Sequence, residues 1–317
     1  MDVRPFIRGT FLLLCGMAAG CLPPLPENGK GFEPPRRQIV LETPDSRMAT
    51  EDGLENGVWL EVFMEDGRSV GGYLSRNESP RRALVILLHG ASTFAVQGSL
   101  GSTRDTHLKN GPMYWQEGYL TWSLMVRECG SPYGQGDLED LITAIDWLDA
   151  VGRDMLDIDK VYVLGYSVGG TQALLLNRFR HVDGIIEVSG LVTPENIQRD
   201  YLLFYLAGAL YPLNLGVCQM FDTVQYYGLP GSPAWAYLDT VAHIEALRNP
   251  MLAIHGVEDR LFAATAAFAL QARYEELIAQ GVPLQPIEFV FLPGVGHFPD
   301  FSSGPVKEAI LGFLDRY

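Results

Sequence analysis

The stretch Val161-Tyr162-Val163-Leu164-Gly165-Tyr166-Ser167-Val168-Gly169-Gly170 constrains this chain more than any other. An apolar, β-branched run stops at a glycine, and Thr171-Gln172-Ala173-Leu174-Leu175-Leu176 then reads as a helix. Turning a strand into a helix over so few residues brings the two backbones close together, and side chains at positions 165 and 169 would collide. Ser167 stands at the apex of this G-x-S-x-G turn with its hydroxyl held off the sheet edge. The amide of Val168 opens the helix toward the same space, where a developing negative charge would be welcome.

The apolar signature recurs along the chain. Ala83–Leu88 is a continuous apolar run, as a strand buried on both faces would be. Comparable runs stand at Leu120–Val126, Gly184–Val188, Met251–Ile254 and Glu288–Leu292. Helical patterns lie between them at Leu138–Ala150, Val168–Phe179, Ala263–Ala279 and Pro305–Tyr317. This alternation predicts an α/β fold with a mostly parallel central sheet flanked by helices. Ligands of such sheets bind beyond the carboxyl ends of the strands. Upstream, Val58–Met64 and Val70–Ser75 flank Glu65-Asp66-Gly67-Arg68 and read as a hairpin. A length of 317 residues, 47% of them hydrophobic, suffices for one large domain. The formal charge of −15 argues against a nucleic-acid partner.

Residues 1–20 read as an export signal. Arg4 and Arg8 precede the apolar run Phe11–Met17, which is too short to span a bilayer, and Ala18-Ala19-Gly20 precede Cys21. Ala18-Ala19-Gly20-Cys21 resembles a bacterial lipobox, in which the cysteine becomes the lipidated first residue. Ala18 departs from the usual Leu or Val, which leaves plain secretion open. The expected location is the bacterial cell envelope, with a lipid anchor at Cys21 holding the protein to a membrane. Residues 21–57, with six prolines from Pro23 to Pro44, read as a tether, and residues 58–317 as the folded domain. Cys129 and Cys218 would remain as thiols in that compartment, either paired or separately buried.

Three further positions complete a constellation around Ser167. His297 is the only histidine after residue 263, and it follows a predicted strand at the carboxyl edge of the sheet, where a general base belongs. Asp259, four residues beyond His255, is the candidate carboxylate to orient it; Glu258 and Glu187 are the rivals. His89-Gly90-Ala91 follows the first buried strand, so the Ala91 amide is the candidate partner of the Val168 amide in an oxyanion hole. His89 and His255 read as structural. The chain holds no H-E-x-x-H and no cysteine cluster, so no metal is expected.

Taken together, His89-Gly90, Gly165-Tyr166-Ser167-Val168-Gly169-Gly170, His255-Gly256 with Asp259, and Gly296-His297 resemble the α/β-hydrolases of the dienelactone hydrolase and prolyl-oligopeptidase-like branch. The resemblance covers about Val58 to Tyr317. It implies that Ser167 attacks an ester or amide carbonyl, that His297 takes and returns the proton, and that Asp259 stabilises the imidazolium. The implied substrate is a small ester, with a short peptide as the alternative, and the resemblance implies no metal and no organic cofactor. From another class, a catalytically silent binding protein of this fold is the rival, and the intact Ser167, Asp259 and His297 set argues against it. Two departures matter. Arg127-Glu128-Cys129-Gly130 stands where many relatives carry Asp-x-Arg-Gly, and the stretch before Val58 has no room for the propeller of oligopeptidases.

Two segments bear on substrate. An insertion at about 193–243, with Tyr201–Tyr211 inside it, is expected to cap the site and line an acyl or aromatic pocket, or to touch a membrane. A helix buried against the domain is the alternative. Ser92–Gly111 is expected to be a mobile rim or a solvated loop.

Overall fold

Alternate residues of Ala83–Leu88 enter two different cores. Leu84, Ile86 and Leu88 join one apolar cluster, and Ala83, Val85 and Leu87 join the other, so this strand is buried on both faces. The computed structural model describes residues 47–49, 57–64, 69–90, 98–126, 134–190, 192–193, 222–223, 226–227, 233–301 and 304–317.

Nine strands are described: β1 (Arg47–Ala49), β2 (Gly57–Phe63), β3 (Ser69–Ser75), β4 (Ala83–Leu88), β5 (Leu120–Leu124), β6 (Lys160–Tyr166), β7 (Gly184–Val188), β8 (Met251–Gly256) and β9 (Ile287–Leu292). They form one sheet in the order β1-β2-β3-β5-β4-β6-β7-β8-β9. β2 and β3 pair antiparallel with Phe63 opposite Ser69, as the expected hairpin requires of its two strands. From β5 to β9 every neighbouring pair is parallel. The helices α1 (Gly98–Gln116), α2 (Gly136–Trp147), α3 (Val168–Leu176), α4 (Ala264–Ala279) and α5 (Gly304–Arg316) cover the two faces. Leu141 of α2, Leu174 of α3 and Leu270 of α4 pack in one cluster, and Tyr114 of α1 and Phe313 of α5 in the other. Among the described residues no helix is long and apolar enough to cross a membrane.

The chain leaves β4 for β5 on one side and then crosses to β6 on the other, so strand order reverses at β4. The crevice over the carboxyl ends of β4 and β6 is the switch point where doubly wound sheets bind ligands. His89 follows β4 there and Ser167 follows β6.

Two expectations need correcting. Ser92–Gly111 is no loop over most of its length, because α1 runs from Gly98 to Gln116 with Pro112 inside it. Three glycines and a proline make this a poor helix by propensity. Packing overrides that: Thr103, His107, Met113 and Tyr114 are buried, and the His107 ring lies 5.8 Å from that of Tyr73 and 4.9 Å from that of Trp115. The sheet also takes in Arg47–Ala49, which the sequence reading leaves in the tether. This short strand pairs with β2 through backbone groups, a contact that no side-chain pattern advertises. Of the insertion at 193–243, Trp235 and Leu238 are buried in the domain core, and the Tyr237 hydroxyl donates to the Gly134 carbonyl at 3.1 Å. The run Tyr201–Tyr211, which carries the pocket, membrane and buried-helix readings, lies outside the described residues.

Candidate active site

Ser167 occupies the turn between β6 and α3 with φ 55° and ψ −115°, a left-handed backbone that side-chain-bearing residues rarely adopt. Its surroundings hold it there. The Ser167 amide donates to the Val188 carbonyl at 2.9 Å, and its carbonyl accepts from the Thr171 amide at 3.0 Å. A Cβ on Gly165 would lie 2.0 Å from the Gly169 carbonyl oxygen, and one on Gly169 would lie 2.5 Å from that of Leu88. The turn therefore requires glycine at both positions. Val168 begins α3, and the first amides of a helix have no acceptor within it.

His297 and Asp259 arrive from the loops after β9 and β8. Nε2 of His297 lies 2.9 Å from Oγ of Ser167, and its Nδ1 lies 2.8 Å from Oδ2 of Asp259. All three residues are buried. A carboxylate only accepts, so Nδ1 carries the ring proton and Nε2 is left to accept from the serine hydroxyl. Oδ1 of Asp259 accepts from the amides of Leu261 at 2.8 Å and Phe262 at 2.9 Å, which fixes the carboxylate plane. Burial alone would raise the Asp259 pKa. Hydrogen bonds from His255, His297 and the Phe262 amide outweigh it and hold the carboxyl well below the usual range, hence ionised.

The rivals of Asp259 are elsewhere. The Glu258 side chain is exposed, and its amide donates to the Val295 carbonyl. Glu187 is fully buried in β7, where Oε1 accepts from the Gly190 amide.

His89 and His255 both make hydrogen bonds that hold loops. His89 Nδ1 lies 2.6 Å from the Gly90 carbonyl, and its Nε2 accepts from the Val126 amide at 3.3 Å, so the ring ties the end of β4 to the segment after β5. Burial pushes its pKa down to about 4, which keeps this neutral tautomer. His255 Nε2 donates to the Phe262 carbonyl at 2.7 Å. Ala91, Cys21, Cys129, Cys218 and the segment Arg127–Gly130 lie outside the described residues.

Sequence reasoning gave Tyr166 no role, yet its hydroxyl donates to the His297 carbonyl at 3.0 Å. Its ring lies 5.5 Å from that of His297 and 6.2 Å from that of Phe298. An aromatic residue directly before the turn serine was the available signal. Asp137 is a second omission. Buried at the start of α2, it accepts from Gln172 of α3 at 3.0 Å and so ties the helix behind Ser167 to its neighbour.

No model of a known protein family matches the chain, and no curated protein does. Solved structures do. An esterase of Pyrococcus furiosus superposes with TM-score 0.57 at 16% identity, over 82% of this chain and 91% of its own. An α/β hydrolase of a Penicillium species gives TM-score 0.54 at 15% identity, over 81% and 97%. The acylaminoacyl peptidase of Pyrococcus horikoshii gives TM-score 0.55 at 11% identity, over 83% of this chain but only 42% of the peptidase. At these identities the likeness shows the fold, which is the α/β-hydrolase fold.

Proposed function

We propose that the chain is a serine hydrolase that cleaves carboxylic esters through an acyl-enzyme intermediate. The carrying observation is the hydrogen-bonded series Asp259–His297–Ser167, with contacts of 2.8 and 2.9 Å, set at a strained strand-to-helix turn over the switch point of the sheet. In this reading Nε2 of His297 takes the Ser167 proton as Oγ attacks the ester carbonyl. Asp259 stabilises the imidazolium and stays ionised itself. The amides of Val168 and Ala91 hold the oxyanion, a pairing in which each donor typically contributes ~10²–10³ in rate. The imidazolium then protonates the leaving alcohol, and a water activated by the same His297 releases the acid and restores Ser167.

Ester is favoured over peptide because the similar Pyrococcus esterase is matched over 91% of its length, whereas the peptidase is matched over 42%. Cys21 carries a lipid anchor in this reading, which puts the site in the cell envelope, joined to that anchor by the segment ahead of the strand that starts at Arg47.

Labelling with a fluorophosphonate probe, wild type beside Ser167→Ala, tests the nucleophile: label on the wild type alone is expected, and an unlabelled, folded wild type overturns the reading. A panel of acyl esters and aminoacyl amides then separates esterase from peptidase. Cys21→Ser should move the protein out of the membrane fraction, and unchanged fractionation would refute the anchor.

A further inference from the structure

One carboxylate and one imidazole lie buried behind the site without a part in the steps above. Glu187 is the only charged residue of β7, and Glu187 pairs with Ala253 of β8 in the parallel register. His255, two residues beyond Ala253, therefore faces the same side of the sheet as Glu187. Both side chains are buried, and among the described residues neither Oε2 of Glu187 nor Nδ1 of His255 has a hydrogen-bond partner. On the far side of the ring, Nε2 meets the Phe262 carbonyl at 2.7 Å and Oδ2 of Asp259 at 3.4 Å. That same Oδ2 binds Nδ1 of His297 at 2.8 Å. One carboxylate oxygen thus faces two imidazoles, and only one of them reaches the serine.

Among the described residues, the polar groups that interact with the His255 ring are the Phe262 carbonyl, Asp259 from the loop after β8 and Glu187 from β7, each an acceptor or an acid. Such surroundings favour the doubly protonated ring. Burial pulls His255 down, but the Asp259 hydrogen bond and the charge of Glu187 more than offset it and leave its pKa raised. Burial pushes Glu187 up to about 7, against the pull of His255 and of the Gly190 amide. The charge of each group thus favours the charged form of the other, against the burial that disfavours both.

We propose that Glu187 and His255 form a buried acid–imidazole pair that positions Asp259 and sets how much of its negative charge reaches His297. The inference rests on the reading of His297 as the base for Ser167. A charged His255 shares Oδ2 of Asp259 and so weakens its hold on protonated His297. Glu187 acts at one remove, by supplying the counter-charge without which a buried His255 sheds its proton. Both are positioning residues, since neither touches the reacting atoms.

The test is the pH profile of kcat/KM on an acyl ester for the wild type, Glu187→Gln, His255→Asn and the double variant. Glu187→Gln keeps an oxygen for the Gly190 amide, so it should fold even if His255→Asn does not. Either single change removes the charge on His255 and returns Asp259 fully to His297. The acid limb should move to higher pH by about one to two pH units, the size expected of a unit charge roughly 6–12 Å away in an effective dielectric near 20. The double variant should move it no further than His255→Asn alone, because Glu187 works only through His255. An acid limb of Glu187→Gln that stays in place or moves down, or shifts that add in the double variant, would overturn the proposal. NMR titration of the His297 ring in the same proteins reads the same displacement without turnover. A wild type that hydrolyses nothing, but whose His297 titration moves in Glu187→Gln, would sink the hydrolase reading and leave the pair standing.

Discussion

The hydroxyl of Tyr166 donates a hydrogen bond of 3.0 Å to the backbone carbonyl of His297. The residue directly before the candidate nucleophile thereby holds the loop that carries the candidate base. Burial pushes the Tyr166 pKa up, so its phenol stays protonated and remains a donor across the working range. Tyr166→Phe removes this donor and little else. Stability should fall by about 1 kcal/mol. kcat should fall by roughly three- to tenfold with KM nearly unchanged, since the lost contact sets geometry and not substrate binding. Denaturant melts beside steady-state kinetics check both, and a kcat equal to wild type would show that the loop is held by other contacts.

Asp259 and Glu258 are neighbours in sequence with opposite surroundings, one buried on His297 and the other exposed. Asp259→Asn keeps an oxygen for the Leu261 and Phe262 amides but presents an NH₂ to Nδ1 of His297. The ring then turns its proton toward Ser167 and cannot accept from it. kcat should drop by ~10³–10⁴. Glu258→Gln should stay within about twofold of wild type, as a change at an exposed side chain outside the site would. Kinetics on the two variants side by side decide the matter, and a collapse in Glu258→Gln would reassign the acid.

The fold was legible because β4 and β6 are continuous apolar runs and because steric limits at Gly165 and Gly169 leave a tight turn few sequences. Ser167, Asp259 and His297 were legible because each follows a strand at its carboxyl end, so chain order alone brought them to one edge. α1 was not legible. Its helix is held by the buried His107 and Tyr114 against a propensity set by Gly98, Gly101, Gly111 and Pro112. β1 was not legible either, since backbone pairing to β2 needs no side-chain pattern. The bond from Tyr166 to His297 joins residues 131 apart, and although an aromatic residue before Ser167 signals a role, nothing local names its partner.

Asp137 supplies a test of stability against pH. It is buried at the start of α2, where it accepts from the amides of Gln135 and Leu138 and from the Gln172 side chain. Burial outweighs these donors and pushes its pKa from 3.8 up to about 6. A carboxyl whose folded pKa is raised contributes stability below its unfolded value and loses it as pH rises through the folded one. Asp137→Asn keeps the amide acceptor and cannot ionise. From pH 4 to pH 6 the variant should therefore gain on the wild type by on the order of 3 kcal/mol, with no further gain above. Chemical denaturation at a series of pH values reads this directly, and a difference independent of pH would mean that Asp137 ionises as easily folded as unfolded.

Phe298 follows His297 and is 73% exposed, the most exposed of the large apolar side chains among the described residues. Its ring lies 5.2 Å from that of His297 and 6.2 Å from that of Tyr166, so it stands at the rim of the site with an open face. An aromatic ring left in water beside a reactive group suits contact with an apolar part of the substrate. Phe298→Ala should raise KM for aryl or medium-chain esters by about three- to thirtyfold, the loss expected when a ring's apolar contact is removed. KM for acetyl esters of small alcohols should change by less than about twofold, and kcat should hold for both, because the ring binds ground state and transition state alike. Kinetics on a matched series of esters distinguish this from a structural role, in which KM and kcat would worsen together for every member of the series.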